Sequence, residues 1–290
     1  MLQSNQKPVG LYINGVTCGA TEPKKRGTVS DVYLGRLDGK VVALKQLRPG
    51  SEEDFTKDLN RKAPVWQQLD HPFLLPFLGI DIETSRRPRL VYPWMANGNI
   101  IEAAKRMKKN DEDLSTLLLT WIREVATGIN FLHEHHIVHG DVRGANIFLD
   151  EDCRVQVADV GISMIINTAT VLFIESRPTP FQWRPPELVF DEVASPTAEC
   201  DVYSFGCFCI ELYTLNCPYP ELQKQIRIFN HMLCGNRPNR PDSPTASGLT
   251  MTDDMWSMLQ QCLGPSEQRP SMSQVVEILE DMQVLTEASD

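Results

Sequence analysis

The sequence predicts an α+β chain in two halves, a small strand-rich half holding one helix and then a larger, mainly helical half. Three observations carry this. Residues 27–47 alternate apolar and polar positions around an Asp-Gly pair, and apolar positions from Leu114 to Leu132 recur at steps of three and four. Between them a short apolar run, Leu90 to Tyr92, is closed by Pro93 and then Asn97-Gly98. With 290 residues, 42% of them apolar, the chain is long enough to bury the core of one large or two modest domains.

In order along the chain, "TVSDVYLGRLDGKVVALKQL" reads as two antiparallel strands joined at Asp38-Gly39, a pair suited to a tight hairpin. Ser51 can cap a helix whose first turn carries Glu52, Glu53 and Asp54 near its positive end, so a helix is expected from there towards Leu69. Pro64 interrupts it. An interior proline removes a hydrogen bond and clashes with the preceding turn at about 3 kcal/mol, so the helix is expected to kink or to begin effectively later. Leu90 to Tyr92 reads as the strand leaving the first half. Leu114, Leu118, Trp121, Val125, Ile129 and Leu132 share one stripe of a long core helix, and further apolar helices are expected over Val202 to Leu215 and Met272 to Leu285.

Charge and cysteine usage exclude several classes. A net charge of -10 argues against a nonspecific nucleic-acid or anionic-membrane surface, and Lys24-Lys25-Arg26 is a short solvated turn. The stretch MLQSNQKPVGLYINGV has no basic segment followed by a long apolar run, so neither a signal peptide nor membrane insertion is expected, and the expected location is cytoplasmic. Eight cysteines lie in apolar contexts such as Cys207-Phe-Cys209 without regular spacing, which reads as buried, reduced thiols. The run "HEHHIVHG" (His133, His135, His136, His139) lacks partners at zinc-site spacing and reads as a helix end leading into a loop.

Four separated motifs carry candidate chemistry: "VVALK" ending in Lys45, "HGDVRGAN" with Asp141 and Asn146, "ADVGIS" with Asp159, and "QWRPPELV" with Glu187. Each alone is common. In this order and spacing they resemble the motifs of the protein-kinase superfamily, over residues 27 to about 285. "CDVYSFG" with Asp201 resembles a helix start of that family, and Arg269 in "CLGPSEQRPSM" resembles the arginine that pairs with the Glu187 position. "GKVVALKQL", "LDHPFLLPFLGI" and "VYPWMANGN" are most similar to the tyrosine-kinase-like group of fungal type. The resemblance implies a bilobal fold in one kinase domain over 1–290, with a small antiparallel-sheet lobe over 1–95, including a short N-terminal extension, and a helical lobe over 96–290. The nucleotide is expected between the lobes.

It also implies ATP and Mg2+ as cofactors and a protein substrate or signalling partner, with the oligomeric state left open. Phosphoryl transfer needs positioning and charge neutralisation, for which oxygen donors to the metal and a cation at the phosphates are the minimum. By resemblance Lys45 holds the α and β phosphates, Asn146 and Asp159 hold the metal, Asp141 accepts the substrate hydroxyl proton, and Arg143 assists beside it. Gly27, Val32, Ala43, Tyr92, Pro93 and Met95 fall at nucleotide-binding positions, with Tyr92 as gatekeeper, Pro93 offering its carbonyl and Met95 its N–H.

The chain also departs from the pattern. Nine residues before His71, where a glutamate should pair with Lys45, stands Lys62; Asp58, one turn earlier on the same helix face, is the alternative partner. The glycine-rich loop falls on Lys25-Arg26-Gly27-Thr28-Val29-Ser30 and keeps only Gly27, with Lys24 to Arg26 offering charge in place of geometry. Gly140 replaces an arginine that reads a phosphorylated activation segment, so activation by that contact is not expected; residues 162–184 hold Ser163, Thr168, Thr170, Ser176 and Thr179 but no tyrosine. Val160 and Pro185 are milder changes. Arg143 and Pro180 resemble tyrosine-specific kinases, whereas the general phrasing resembles Ser/Thr relatives. Two readings stand: a weakly active protein kinase, and a pseudokinase that binds nucleotide or partners without turnover. A small-molecule kinase is disfavoured by Glu187 and Arg269.

Overall fold

The computed structural model describes residues 10–19, 21–27, 30–48, 52–160, 180–190, 195–222 and 224–287. These fall into two compact units, one of residues through Trp94 and one from Met95 onward.

The first unit is built on a five-stranded antiparallel sheet of order β1-β2-β3-β5-β4, with β1 Lys25–Arg26, β2 Ser30–Leu37, β3 Lys40–Leu47, β4 Gly79–Asp81 and β5 Arg89–Pro93. The expected hairpin is present. Leu37 pairs with Lys40 across Asp38 and Gly39, whose φ values of 50° and 79° are the left-handed pair that lets a two-residue turn follow the strand twist. Strand alternation then sends Val42 and Leu44 into a core with Val16 and Val91.

Helix α1 spans Glu52–Trp66 with Pro64 inside it, so the helix does not begin late. The reason lies in position. Pro64 stands in the last turn, where its missing N–H forfeits one bond to the carbonyl four residues earlier and little helix remains beyond it to be redirected. The chain leaves α1 through bonds from Gln67 N–H to Ala63 O and Leu69 N–H to Trp66 O, so the helix also stops short of Leu69.

Residues 10–18, upstream of the strands read from the sequence, are built into this unit. Ile13 N–H donates to Ile80 O at 3.1 Å and Ile80 N–H to Leu11 O at 2.9 Å, so the segment runs parallel to edge strand β4. It then reaches β2, where Thr17 and Arg36 exchange two bonds of 2.9 Å. Leu11 and Val16 are buried.

The second unit is mainly helical: α2 Ile100–Lys109, α3 Ser115–Glu134, α4 Pro186–Phe190, α5 Ala198–Thr214, α6 Gln225–Leu233, α7 Asp253–Cys262 and α8 Met272–Glu287, with one small hairpin of β6 Ile147–Leu149 and β7 Val155–Val157. The stripe read on α3 is its packing face: Leu118, Trp121, Val125, Ile129 and Leu132 are at most 1% exposed, against α5, α8 and β7. Helix α5 is buried on all sides from Cys200 to Tyr213, which explains why its sequence lacks a polar face.

All eight cysteines are free thiols. Four are buried, and burial pushes the Cys207 and Cys209 thiols well above their ordinary value and Cys262 up to about 12, which keeps them protonated and unreactive. The histidine run ends α3: His135 lies against Phe131 O, His136 turns the chain at φ 58°, and His133 and His139 make the contacts described below. Among the described residues no helix is long and apolar enough to cross a membrane.

Candidate functional site

In the first unit, strand register gathers the candidate nucleotide residues. Lys45 pairs with Val32 on β2 and Leu90 on β5, and Ala43 pairs with Tyr92. Paired residues share a face, and positions two apart on a strand share it too. Val32, Ala43, Lys45 and Tyr92 therefore occupy one face of the sheet, opposite the face that carries Val42 and Leu44. Pro93 pairs with Val42 and so points its ring the other way, which leaves its backbone as what it can contribute. The ring of Tyr92 lies 5.6 Å from Phe77, which in turn meets Trp66 of α1 at 5.7 Å, so this face is closed by aromatic packing to the helix.

Gly27 N–H donates to Ser30 O at 2.8 Å, and Lys25 and Arg26 pair with Val32 and Asp31. Thr28 and Val29, between Gly27 and Ser30, lie outside the described residues. Lys62 is half-buried on α1 and, as a cation, cannot supply the counter-charge of Lys45. The side chain of Asp58, Gly161, and Ser163, Thr168, Thr170, Ser176 and Thr179 also lie outside the described residues.

In the second unit, Met95 starts the connector as Gly98 N–H bonds to Met95 O at 3.1 Å, and Asp141, Arg143 and Asn146 are brought together tightly. Arg143 Nε donates to Asp141 Oδ1 at 3.0 Å. Asn146 Nδ2 donates to Asp141 Oδ2 at 2.7 Å and to Asp141 O at 2.9 Å. Both of those partners can only accept, which fixes the amide orientation and leaves Asn146 Oδ1 as a hard oxygen donor of the kind magnesium takes. Asp141 and Asn146 are 8% and 4% exposed, so the carboxylate is held in one orientation with little water around it.

The next motif is tied to the same loop. Ala158 N–H donates to Asn146 O at 2.8 Å, and His139 Nε2 lies 2.9 Å from Ala158 O. Asp141 N–H donates to His139 Nδ1 at 3.2 Å, so the imidazole proton sits on Nε2 and is given to Ala158 O. Asp159 follows directly, half-buried, with φ 66°. A left-handed aspartate is uncommon and costs backbone energy of about 1–3 kcal/mol, a cost typical of functional turns. Asn146 Oδ1 and the Asp159 carboxylate thus suit a divalent metal by donor type.

Three supporting residues were not given these roles from the sequence. Asp201, 1% exposed in the first turn of α5, accepts from His139 N–H at 2.7 Å, Gly140 N–H at 2.8 Å and His133 Nε2 at 3.0 Å. Glu211, a lone carboxylate in the apolar run of α5, accepts on one oxygen from Gly144 N–H and Trp183 Nε1, both at 2.8 Å. His139 is the third. The only sequence signal for Glu211 was an acid inside a wholly buried helix. Arg269 and Glu187 pair as expected, through two bonds of 2.5 and 3.0 Å.

Burial pushes the Glu211 carboxyl above its ordinary 4.5, outweighing its two N–H donors, which pull it down. A raised folded value means that stability from this group is complete below the unfolded value and is lost as pH rises through the folded one. Glu211→Gln keeps an acceptor for both donors and cannot ionise. Guanidinium unfolding at a series of pH values should show the variant gaining on the native chain as pH rises from 4.5; a pH-independent difference would refute this.

Known proteins match the sequence. The family described as "Protein tyrosine and serine/threonine kinase" matches residues 22–279. "MAP3K epsilon protein kinase 1" of Brassica napus is 31% identical over 252 residues, 84% of this chain and 18% of that protein. "Serine/threonine-protein kinase STY46" of Arabidopsis thaliana is 26% identical over 259 residues, 88% of this chain and 42% of that protein. "Probable serine/threonine-protein kinase drkC" of Dictyostelium discoideum is 29% identical over 277 residues, 89% of this chain and 34% of that protein. The chain spans less than half the length of each of these relatives. With bilobal architecture, ordered motifs and a family match over most of its length, the chain belongs to the protein tyrosine and serine/threonine kinase family.

Proposed function

We propose that the chain is one protein kinase domain of the tyrosine-kinase-like group, transferring the γ-phosphate of ATP to a protein hydroxyl. The observation that carries this is the Asp141 carboxylate, held on one side by Arg143 and on the other by Asn146. A general base works only when aimed, and both neighbours aim it. Lys45 would hold the phosphates, with Val32, Ala43, Tyr92, Pro93 and Met95 around the base and Gly27 beneath the phosphate loop. Asn146 and Asp159 would hold Mg2+, which when bound neutralises charge on the transferred group. Serine and threonine are the first acceptors to assay, since the relatives carry those names. Free, buried thiols support a reducing, cytosolic setting.

The second reading, a pseudokinase, is favoured by Lys62 and by the loop reduced to Gly27. One experiment separates them: magnesium-dependent ATP binding and autophosphorylation of the native chain, Asp141→Asn and Asp159→Asn. The kinase reading expects native turnover, a fall of about 10²–10⁴-fold in Asp141→Asn, and loss of magnesium dependence in Asp159→Asn. Binding without turnover in a folded native sample establishes the pseudokinase. Lys62→Glu, which supplies an acid at the position expected to face Lys45, should raise transfer; unchanged transfer points to the loop around Gly27 or to a substitute acid.

A further inference from the structure

We propose that residues Gly10–Cys18 form a latch that sets the position of α1, with Tyr12 as its positioning residue. The backbone on either side of Tyr12 is clamped to edge strand β4, by Leu11 O and Ile13 N–H on Ile80. From that fixed point Tyr12 Oη donates to Asn60 Oδ1 on α1 at 2.5 Å. A second tie follows two turns along, where Gln67 Nε2, just past the helix end, donates to Gly10 O at 2.9 Å. Positions seven apart lie on one side of a helix, so both ties pull the same side of α1 towards the same segment.

The latch is fastened at its far end too. After β4 the segment packs Ile13, Val16 and Cys18 against the core of Val42, Leu44 and Val91, and Thr17 pairs with β2. Two strand glycines make room for it. A Cβ on Gly79, whose φ is 144°, would meet Leu11 O at 2.9 Å and Ile13 Cγ2 at 2.7 Å; one on Gly35 would meet Thr17 O at 2.9 Å. Side chains at either position would lift the segment off the sheet. The segment precedes the family match, which begins at residue 22.

Its value to this chain follows from α1. With Lys62 standing where the family pattern has the glutamate that pairs with Lys45, the residue at that position cannot supply the negative charge that would draw the helix to β3. A latch of hydrogen bonds and buried apolar contacts orders the helix by other means. It also makes α1 responsive to whatever displaces the segment.

The consequence for phosphoryl transfer rests on the kinase reading, but the test does not. Hydrogen exchange is followed by mass spectrometry on the full chain without nucleotide, in the native protein, Tyr12→Phe, Asn60→Ala, the double variant and Asn60→Asp. Expected is acceleration of α1 peptides by about fivefold in either single variant, no further acceleration in the double variant, and native protection in Asn60→Asp, which keeps an acceptor. Peptides of α3 should be unaffected. Native exchange of α1 in Tyr12→Phe, equal acceleration in α1 and α3, or acceleration in Asn60→Asp matching Asn60→Ala each overturns the proposal.

Discussion

Asp201→Ala should destabilise the chain by about 3–5 kcal/mol, because it strips acceptors from the backbone N–H groups of buried His139 and half-buried Gly140, each costing about 1–3 kcal/mol when left unsatisfied. His139 is fully buried, and its N–H and that of Gly140 both end on Asp201. Loss of the His133 bond adds to this. Asp201→Asn is no conservative substitute: one oxygen takes His133 and His139 while the other takes Gly140, so an amide must turn its NH2 towards a donor whichever way it faces. Urea unfolding should show the alanine variant as the worse, with asparagine nearer to it than to the native chain. Hydrogen exchange should report the opening of residues 139–146 first. Native-like stability in Asp201→Asn would show that the loop finds other acceptors.

Arg269→Met should cost about 3 kcal/mol, near the lower end for breaking a buried ion pair. The guanidinium side chain is 1% exposed and Glu187 34%, so the abandoned carboxylate can recover some water while the arginine site cannot. Arg269 also donates from Nε to Gly264 O and from Nη1 to Glu199 O, both at 2.9 Å, and lies 5.1 Å from the centroid of the Tyr203 ring. It therefore ties Glu187, in α4, to α5 and to the loop before α8. Arg269→Lys should recover less than half of the loss, since an ammonium cannot reproduce a two-pronged bond together with two carbonyl contacts. Thermal unfolding checks both variants. Equal stability of lysine and arginine would mean that charge alone holds the joint.

Legibility in the sequence followed the range over which a feature is decided. The β2–β3 hairpin was readable because Asp38-Gly39 and a period of two act over adjacent residues, and α3 because a 3.6-residue period is local. Pro64 does not delay the start of α1, because its cost depends on how much helix follows, and the end of α1 at Trp66 carries no capping signal in the sequence. Asp141, Asn146 and Arg143 were readable as a motif within six residues; the bonds that aim the carboxylate follow from that short loop. Their supports were not. Asp201 stands 62 residues from His139, Glu211 67 residues from Gly144 and Tyr12 48 residues from Asn60, and one sequence contains nothing that pairs them.

The sequence by itself determined the order of elements, the family and which groups are candidates for handling phosphate, because turn chemistry, periodicity and motif spacing are properties of neighbouring residues. Tertiary structure decided which way those groups are held. Buried donors and acceptors must find partners wherever the fold places them. That requirement puts Asp201 and Glu211 of α5 under the loop of residues 139–146, makes Arg269 the joint behind Glu187, and fastens residues 10–18 to α1 through Tyr12.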